Sequence, residues 1–384
     1  MIGWQTKKLG DVLDGILGGG TPSKENAEYW NGSIAWASVK DITRFDPLKT
    51  QDYITEEGLK NSSSRLIKAG TLIMPTRMAL GFTVQFAIDV AINQDLKALY
   101  LKEIISKDYL KYWFESKRVK IERMGTGSTV DGIQVGDLKS LKISLPEKPE
   151  QERIVSVLET WDEYLELLNK KIALKERLKK GLMQQLLTGK KRLTGFKDEW
   201  VKNEIGSIIG YEQPNKYIVS DTNYISKGIP VLTANKSFIL GYTNEKHGIY
   251  DASKEDVIIF DDFTMSSRII NFYFKIKSSA IKILKPIDDK TNIRFIYERM
   301  QLIPNIIGEH KRNYISEYQY NAIGIPNRLE QNAIADVSIN FDKTISILRL
   351  QIDDIKRQKE YLLKNLITGT IRTPENITKI GETV

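Results

Sequence analysis

The stretch from Pro146 to Arg192 comes twice in this chain, and that repetition limits what the rest can fold into. Laid without a gap on Pro326 to Arg372, at a constant offset of 180, it matches Pro146 with Pro326, Glu150 with Glu330, Gln151 with Gln331, Ile154 with Ile334, Asp162 with Asp342, Leu168 with Leu348, Ile172 with Ile352, Lys179 with Lys359, Leu186 with Leu366 and Gly189 with Gly369. Within each copy the apolar residues step by four and three: Ile154, Leu158, Trp161, Leu165, Leu168 and Ile172, then Leu182 and Leu186. The second copy keeps the register with Ile334, Phe341, Ile345, Leu348, Ile352 and Ile355, then Leu362 and Leu366. A narrow seam of this kind over about five heptads predicts a coiled-coil helix in each copy. Each helix opens after a proline-ended strand and stops at Leu-Thr-Gly or Ile-Thr-Gly, where Gly189 and Gly369 suit the left-handed residue that ends helices.

Charge says which way the helices pair. Glu147 to Glu166 holds seven acids and two bases, Lys170 to Arg192 nine bases and one acid, and Arg349 to Arg372 is net basic more weakly. Antiparallel packing sets the basic half of each helix against the more acidic half of the other and opposes the helix dipoles, whereas parallel packing stacks like charges. Antiparallel pairing is therefore expected. The alternative is that each helix lies on its own globular segment.

The segments alternating with the helices are related to each other. Trp4, Leu9 and Gly10 recur as Trp200, Ile205 and Gly206. Short β-rich pieces follow in each: Ile34–Val39, Thr71–Pro75 and Leu141–Leu145 in the first, Ile229–Thr233, Asp256–Phe260 and Ala322–Ile325 in the second. A helical stretch around Tyr109 and Trp113 has its counterpart around Ile293 and Tyr297. The expected fold is α+β: two related β-rich α/β domains, 1–145 and 193–325, separated by two long helices, 146–192 and 326–372, in an antiparallel coiled coil with an internal pseudo-two-fold repeat. A polar tail, 373–384, follows. The helices and strand ends resemble each other between copies while the loops do not, which suggests one scaffold reading two different things; neutral loop drift is the plain alternative.

Chemistry is hard to find. With no Cys and two His among 384 residues, disulfides, thiol nucleophiles and thiolate or His-based zinc sites are excluded or improbable. The nearest approach to a phosphate-binding loop, Gln184 to Lys191, lacks the first glycine and the final hydroxyl, so ATP hydrolysis is not indicated. Gly18-Gly19-Gly20 lacks dinucleotide-binding spacing and reads as a turn. Asp261-Asp262 and Asp288-Asp289 read as acidic turns rather than metal ligands. No apolar run approaches a membrane span and the first residues do not form a signal peptide, so a cytoplasmic location with no membrane partner is expected.

A net charge of +8 is consistent with a polyanionic partner. The loops suited to DNA are Ser38-Val39-Lys40, Thr76-Arg77 and Arg123 to Thr129 in the first segment, where Lys40, Thr76, Arg77, Gly125, Thr126, Ser128 and Thr129 are the candidate contacts. In the second they are Asn235-Lys236-Ser237, Thr264 to Arg268 and His310 to Tyr314, where Lys236, Ser266, Arg268, Lys311 and Arg312 are the candidates. Arg and Lys pair with guanine edges or neutralise phosphates, hydroxyls and amides serve either role, and glycine lets backbone N–H approach a phosphate.

Taken together, Gly125 to Thr129 leading to Ile143-Ser144-Leu145-Pro146, the Glu150-Gln151 pair with Ile154, and the helix ending Leu186-Leu187-Thr188-Gly189 resemble the specificity subunit of a type I restriction-modification enzyme. The second copy gives Ile325-Pro326, Glu330-Gln331, Ile334 and Leu366 to Gly369. Where the first segment has its Gly-Ser-Thr loop, the second has Gly308 to Arg312, a departure that argues for different contacts there. The resemblance implies two target-recognition domains, each reading half of a bipartite site in double-stranded DNA, with the spacing set by the coiled coil. It implies a non-catalytic chain that holds no cofactor. S-adenosylmethionine would bind two methyltransferase subunits, and ATP and Mg the restriction subunits. A coiled-coil scaffold that reads no DNA is the alternative.

Overall fold

The two repeats fold as long helices, Lys148–Leu186 and Arg328–Thr368. The computed structural model describes residues 3–125, 132–233, 237–304 and 313–375. The chain divides into two units, residues 1–169 with 351–384 and residues 170–350, so each long helix gives one half to each unit. Both helices end on glycine in the left-handed region, Gly189 at φ 70° and Gly369 at φ 72°. The Gly189 N–H closes on Leu186 O and the Lys191 N–H on Gln185 O, a pattern repeated by Gly369 with Leu366 and Ile371 with Asn365.

Their starts are fastened by the repeated Glu-Gln pair. The Gln151 amide accepts from Ser106 N–H and donates to Ile104 O and Pro146 O; Gln331 accepts from Asn292 N–H and donates to Lys290 O and Pro326 O. Buried Glu150 accepts from the Trp4 indole at 2.9 Å and from Arg372 at 2.6 Å, while buried Glu330 accepts from Trp200 at 3.3 Å and Arg192 at 2.6 Å. Each arginine also lies over the same tryptophan, 5.5 Å from Trp4 and 5.6 Å from Trp200. One residue type at each of three positions thus ties the entry of a globule, the start of one helix and the stop of the other.

Within each unit the helix halves run antiparallel. In the first unit Tyr164, Asp162 and Glu150 meet Gln351, Lys359 and Arg372, so one number falls as the other rises. In the second, Glu176 meets Arg349 at 2.8 Å, Lys179 meets Asp342 at 2.7 Å, and Arg192 meets Glu330. Lys179 and Lys359 stand one heptad beyond Ile172 and Ile352, in the seam itself. Lys359 is buried against Asp162 at 2.7 Å, Glu115 at 2.9 Å and the face of Tyr112. Burial alone would lower the Lys359 pKa; Asp162 and Glu115 hold it above the ordinary lysine value. A charged seam position is satisfied in one register and one orientation only, which is how it specifies both.

The apolar cores finish the same way. Leu9, Tyr109, Trp113, Phe114, Leu138, Ile154 and Leu158 pack in the first unit with Leu363, Leu366 and Ile367 from the end of the second helix. In the second unit, Ile205, Phe260, Phe295, Tyr314, Ile323 and Ile334 pack with Met183, Leu186 and Leu187 from the end of the first.

The globular parts share one sheet plan. In the first unit Gln5–Lys8 pairs with Lys142–Leu145, a three-stranded sheet runs in the order Leu13–Gly18, Leu96–Leu101, Leu72–Pro75, and a four-stranded sheet in the order Asp52–Ile54, Trp30–Ala37, Val90–Ile92, Arg65–Ile67. In the second unit Val201–Glu204 pairs with Ala322–Ile325, and the sheets run Ile209–Glu212, Ile281–Pro286, Val257–Asp261, Ser267–Ile270 and Ile239–Thr243, Ile229–Leu232, Tyr273–Ile276, Tyr250–Asp251. One parallel pairing recurs, Trp36 with Ala91 and Val231 with Lys275. The plans differ at one edge: Ser267–Ile270 is a full strand, whereas in the first unit Val84 forms a lone bridge to Ile73.

Two local expectations are revised. The strand expected over Ile34–Val39 stops at Ala37, because Ser38 and Asp41 form a capping box that starts the short helix Val39–Thr43. Gly19 and Gly20 are less a free turn than a close approach: a Cβ on Gly19 would stand 1.8 Å from Ile92 O, and the Gly20 N–H donates to that oxygen.

Burial alone would raise the Glu150 carboxyl, but the hydrogen bonds from Arg372 and Trp4 hold it below the ordinary 4.5. A depressed folded value means that its stabilisation is complete above the unfolded value and is lost as pH falls through the folded one. Glu150→Gln is expected to cost about 1–3 kcal/mol at neutral pH and to flatten the acid limb of stability measured by urea denaturation at stepped pH. An acid limb as steep as the parent's would show that the carboxylate is not held in this way.

Candidate nucleic-acid interface

Two segments distant in sequence meet at one edge of the first unit, and residues flanking a third join them. Ser38 follows a strand and caps a helix, which leaves Lys40 exposed on the helix's first turn. Arg77 follows the strand Leu72–Pro75 and lines a cleft of about 430 Å3 together with Ser38, Lys40, Met78, Asn93 and Asp95. An adjoining cleft of about 460 Å3 runs from Lys40 past Asn93 and Gln94 to Thr21, Trp30 and Trp36. The third segment arrives through its flanks: the Ile133 N–H donates to Thr76 O, and a Cβ on Gly132 would lie 3.0 Å from Arg77 Cγ.

The candidates differ in what they offer. Thr76 is buried, and both its N–H and its hydroxyl donate to Asp95 O, at 2.7 and 3.1 Å. Gly125 ends the helix Lys107–Gly125 against Leu80, whose Cδ1 would be 2.1 Å from an added Cβ; close packing accounts for this glycine. Arg77 and Lys40 are the exposed cations. Thr126, Ser128 and Thr129 lie outside the described residues.

The second unit builds the equivalent edge from different residues. Arg268 sits not in a loop but on the strand Ser267–Ile270, because the turn before it is tight: the Asp261 carboxylate accepts from Phe263 and Thr264 N–H, and Met265 takes φ 54°. The exposed Arg268 guanidinium lies 5.4 Å from the Phe238 ring centre, and Phe238 reaches it through a hydrogen bond of its carbonyl with Thr233 N–H. Ser266 is half-buried, its carbonyl taken by Asp261 N–H. Tyr314 N–H donates to the Asp262 carboxylate at 3.1 Å, which brings the flank of the third segment to the same turn. Lys236, Lys311 and Arg312 lie outside the described residues.

Asp262 is more than an acidic turn residue. It is buried beside Lys282, with 3.2 Å between carboxylate and ammonium, and Lys282 also donates to Gln213 at 2.9 Å. Strand register makes Lys282 the counterpart of Lys97, and the Asp262 N–H donates to Ala280 O as the Thr76 N–H does to Asp95 O. Burial lowers the Lys97 pKa against the pull of Asp95. Sequence reasoning missed Thr21, Asn93, Gln94, Asp95, Phe238 and Lys282. Only Asn93 to Asp95, a polar run between two apolar strands, carried a turn signal. Among the described residues no group of His, Cys, Asp and Glu could hold a metal ion, and no helix is long and apolar enough to cross a membrane.

A duplicated α+β frame with a matched polar edge on each copy defines a class of two-module proteins joined by an antiparallel coiled coil. Comparison with known proteins narrows it. The family model for the type I restriction modification DNA specificity domain matches residues 1–176. The specificity subunit of the type I restriction enzyme EcoR124I/EcoR124II from Escherichia coli is 40% identical over 197 residues, 48% of this chain and 48% of that protein, so the match spans about half its length. The MjaIX specificity subunit of Methanocaldococcus jannaschii is 24% identical over an alignment of 418 positions covering 97% of this chain and 94% of that one. Among solved structures, the S subunit of a type I restriction-modification system from M. genitalium shares the fold with a TM-score of 0.58 at 17% identity, covering 95% of this chain and 96% of its own. A chain from a structure of type I complex assembly gives 0.61 at 15% identity, covering 97% and 99%. The chain is thus similar to the specificity subunits of type I restriction-modification enzymes, through the family model over residues 1–176 and through these relatives.

The Asp262–Lys282 pair yields a stability test. Asp262→Ala leaves an ammonium buried beside Gln213 alone and removes the acceptor for Tyr314, so a loss of about 3–5 kcal/mol is expected. The double variant Asp262→Ala/Lys282→Met should recover a large part of it. Thermal unfolding reads both, and two variants of equal stability would show the pair to be uncoupled.

Proposed function

We propose that this chain is the non-catalytic, sequence-reading subunit of a type I restriction-modification enzyme, in which residues 1–145 and 193–325 each read one half of a bipartite site in double-stranded DNA. The observation that carries this is the repeated edge. Two related frames bring corresponding segments or their flanks together, one around Lys40 and Arg77 and the other around Phe238 and Arg268, with different side chains on each. A shared frame with different polar contacts is what reading two unlike half-sites requires, since phosphate contacts position a protein and base-edge contacts specify. Lys40, Arg77 and Arg268 are the proposed contacts within the described residues; Thr126, Ser128, Thr129, Lys236, Lys311 and Arg312 are proposed as further contacts from the sequence alone. Residues 146–192 and 326–372 are the spacer helices, and 373–384 a tail. Methylation and cleavage belong to partners: two methyltransferase subunits carrying S-adenosylmethionine, and restriction subunits using ATP and Mg.

Sequencing the methylated motif of a host with and without this chain tests the reading. Exchange of residues 1–145 for the matching segment of a related subunit is expected to change one half of the modified motif and to leave the other half and the spacer alone. The donor segment must accept Leu363, Leu366 and Ile367, which pack in that core. A motif altered in both halves would count against independent reading.

The coiled coil is proposed as the ruler. Lengthening the junction at Leu186 to Gly189 is a poor test, because Leu186 and Leu187 are buried in the second unit's core. A four-residue insertion in both helices, after Asn169 and after Leu350 where the units divide, respects the pairing. Four helical residues add about 6 Å, close to two base pairs of rise, and make a stutter that coiled coils absorb. The unread spacer should grow by one or two base pairs with both half-sites unchanged; an unaltered spacing would remove the helices from that role.

A further inference from the structure

One exposed cation on the first unit's edge has a carboxylate beside it before any ligand arrives. The Arg77 Nε faces the Asp95 carboxylate at 3.9 Å, and among the described residues its guanidinium has no other partner. Asp95 is itself fixed from behind: its N–H donates to the Asn93 carboxamide oxygen at 3.1 Å, the Asn93 amide approaches its carboxylate, and its carbonyl takes both donors of buried Thr76. Gly132 packs on the stem of Arg77 with no room for a side chain, because a Cβ there would press on Arg77 Cγ and stand 2.8 Å from Thr76 O. The loop that follows bends back through Met78 and Ala79 at φ 49° and 37°, and leaves Met78 exposed at the rim beside Arg77. Left-handed non-glycine residues cost free energy and mark segments whose shape matters.

This arrangement favours a base edge over a phosphate. A carboxylate at Nε offsets part of the guanidinium charge, which weakens attraction to an anion. The two terminal amino groups remain as a parallel pair of donors, the geometry that matches the O6 and N7 acceptors of guanine. Lys40, in the same cleft, has no hydrogen bond or ion pair to its ammonium among the described residues and keeps its full attraction for phosphate.

We propose that Arg77 reads one guanine in the half-site bound by residues 1–145, with Asp95 as its positioning residue and Lys40 on a neighbouring phosphate. The proposal rests on the DNA-reading function above, and the experiment separates the two.

The full chain assembled with its methyltransferase subunits is used, and the methylated motif of the parent supplies the duplex. Binding is measured on that duplex, on versions with each guanine replaced in turn by 7-deazaguanine, and across a salt series. The parent is expected to lose roughly 10- to 100-fold at one guanine when N7 is removed. Arg77→Ala should bind the parent duplex correspondingly less well and be indifferent to that replacement. Asp95→Asn, which keeps the shape of the side chain, should shrink the same penalty without creating one elsewhere. Lys40→Ala should weaken all duplexes alike and reduce the salt slope by about one. The idea is overturned by a methylated motif with no guanine in that half, by an Arg77→Ala variant that keeps the parent's 7-deazaguanine penalty, or by an Asp95→Asn variant with an unchanged one. A uniform loss over all duplexes in Arg77→Ala would make it a phosphate contact and also reject the proposal. If the parent complex binds no duplex better than random DNA, the broader reading fails, and this one with it.

Discussion

The ion pairs between the long helices, Asp162 with Lys359 and Lys179 with Asp342, are what the rest of the chain depends on. Each lysine stands in a largely apolar seam, and each aspartate is the 180-offset image of the other. Desolvation makes such pairs weak contributors to stability when intact and costly when broken. Their effect is to reject alternatives. A parallel arrangement, or a slip of one heptad, would leave two lysines facing aliphatic side chains. The Glu150–Arg372 and Glu330–Arg192 contacts repeat this choice at the ends of the helices and extend it to Trp4 and Trp200, where each globule begins.

Duplication explains why the contacts come in exchanged pairs. Asp162 and Asp342, Lys179 and Lys359, Glu150 and Glu330, and Arg192 and Arg372 keep the same type in both copies because each must satisfy its image, whereas the Glu176–Arg349 and Tyr164–Gln351 contacts each occur once. The edge where loops gather bears no such restriction. There the first unit has a bent loop at Arg77 and a lone bridge at Val84, and the second has a tight Asp261 turn feeding a full strand that carries Arg268. Strands common to both hold the two edges in equivalent places, so the edges are free to vary in side chain and local path.

Much of the frame was legible because it is written locally. Heptad spacing gave both helices, halves of opposite charge gave their antiparallel sense, and Leu-Thr-Gly and Ile-Thr-Gly gave their stops. The strand at 34 to 39 was overextended because Ser38 and Asp41 form a cap whose strength rests on a hydrogen bond at close range, while Val39 looks like a strand residue in isolation. The edge was legible only in part. Thr76 beside Arg77 reads as a pair of like opportunities, yet one hydroxyl is turned inward to Asp95 and the neighbouring guanidinium outward. That division is made by the register of Leu72–Pro75 on Leu96–Leu101, which no pattern within either segment announces. Asp262 reads as part of an acidic turn and Lys282 carries no signal for the same reason, since their burial comes from segments far away in sequence.

The exchange of helix ends also sets an order in time. Residues 170–350 are continuous, so every part of the second unit's core, Met183 to Leu187 included, has been made by the time Leu350 leaves the ribosome. The first unit has to wait. Tyr109, Trp113 and Leu158 are synthesised early, but Leu363, Leu366 and Ile367, which cover them, come some 200 residues later, a delay of roughly 10–40 s at ordinary rates of synthesis. During that interval the earlier-made globule carries an open apolar face and an unpaired Glu150, and the later-made one can already be complete. The half of the molecule that is translated first is the half that finishes last, and it is there that a nascent chain needs protection from aggregation.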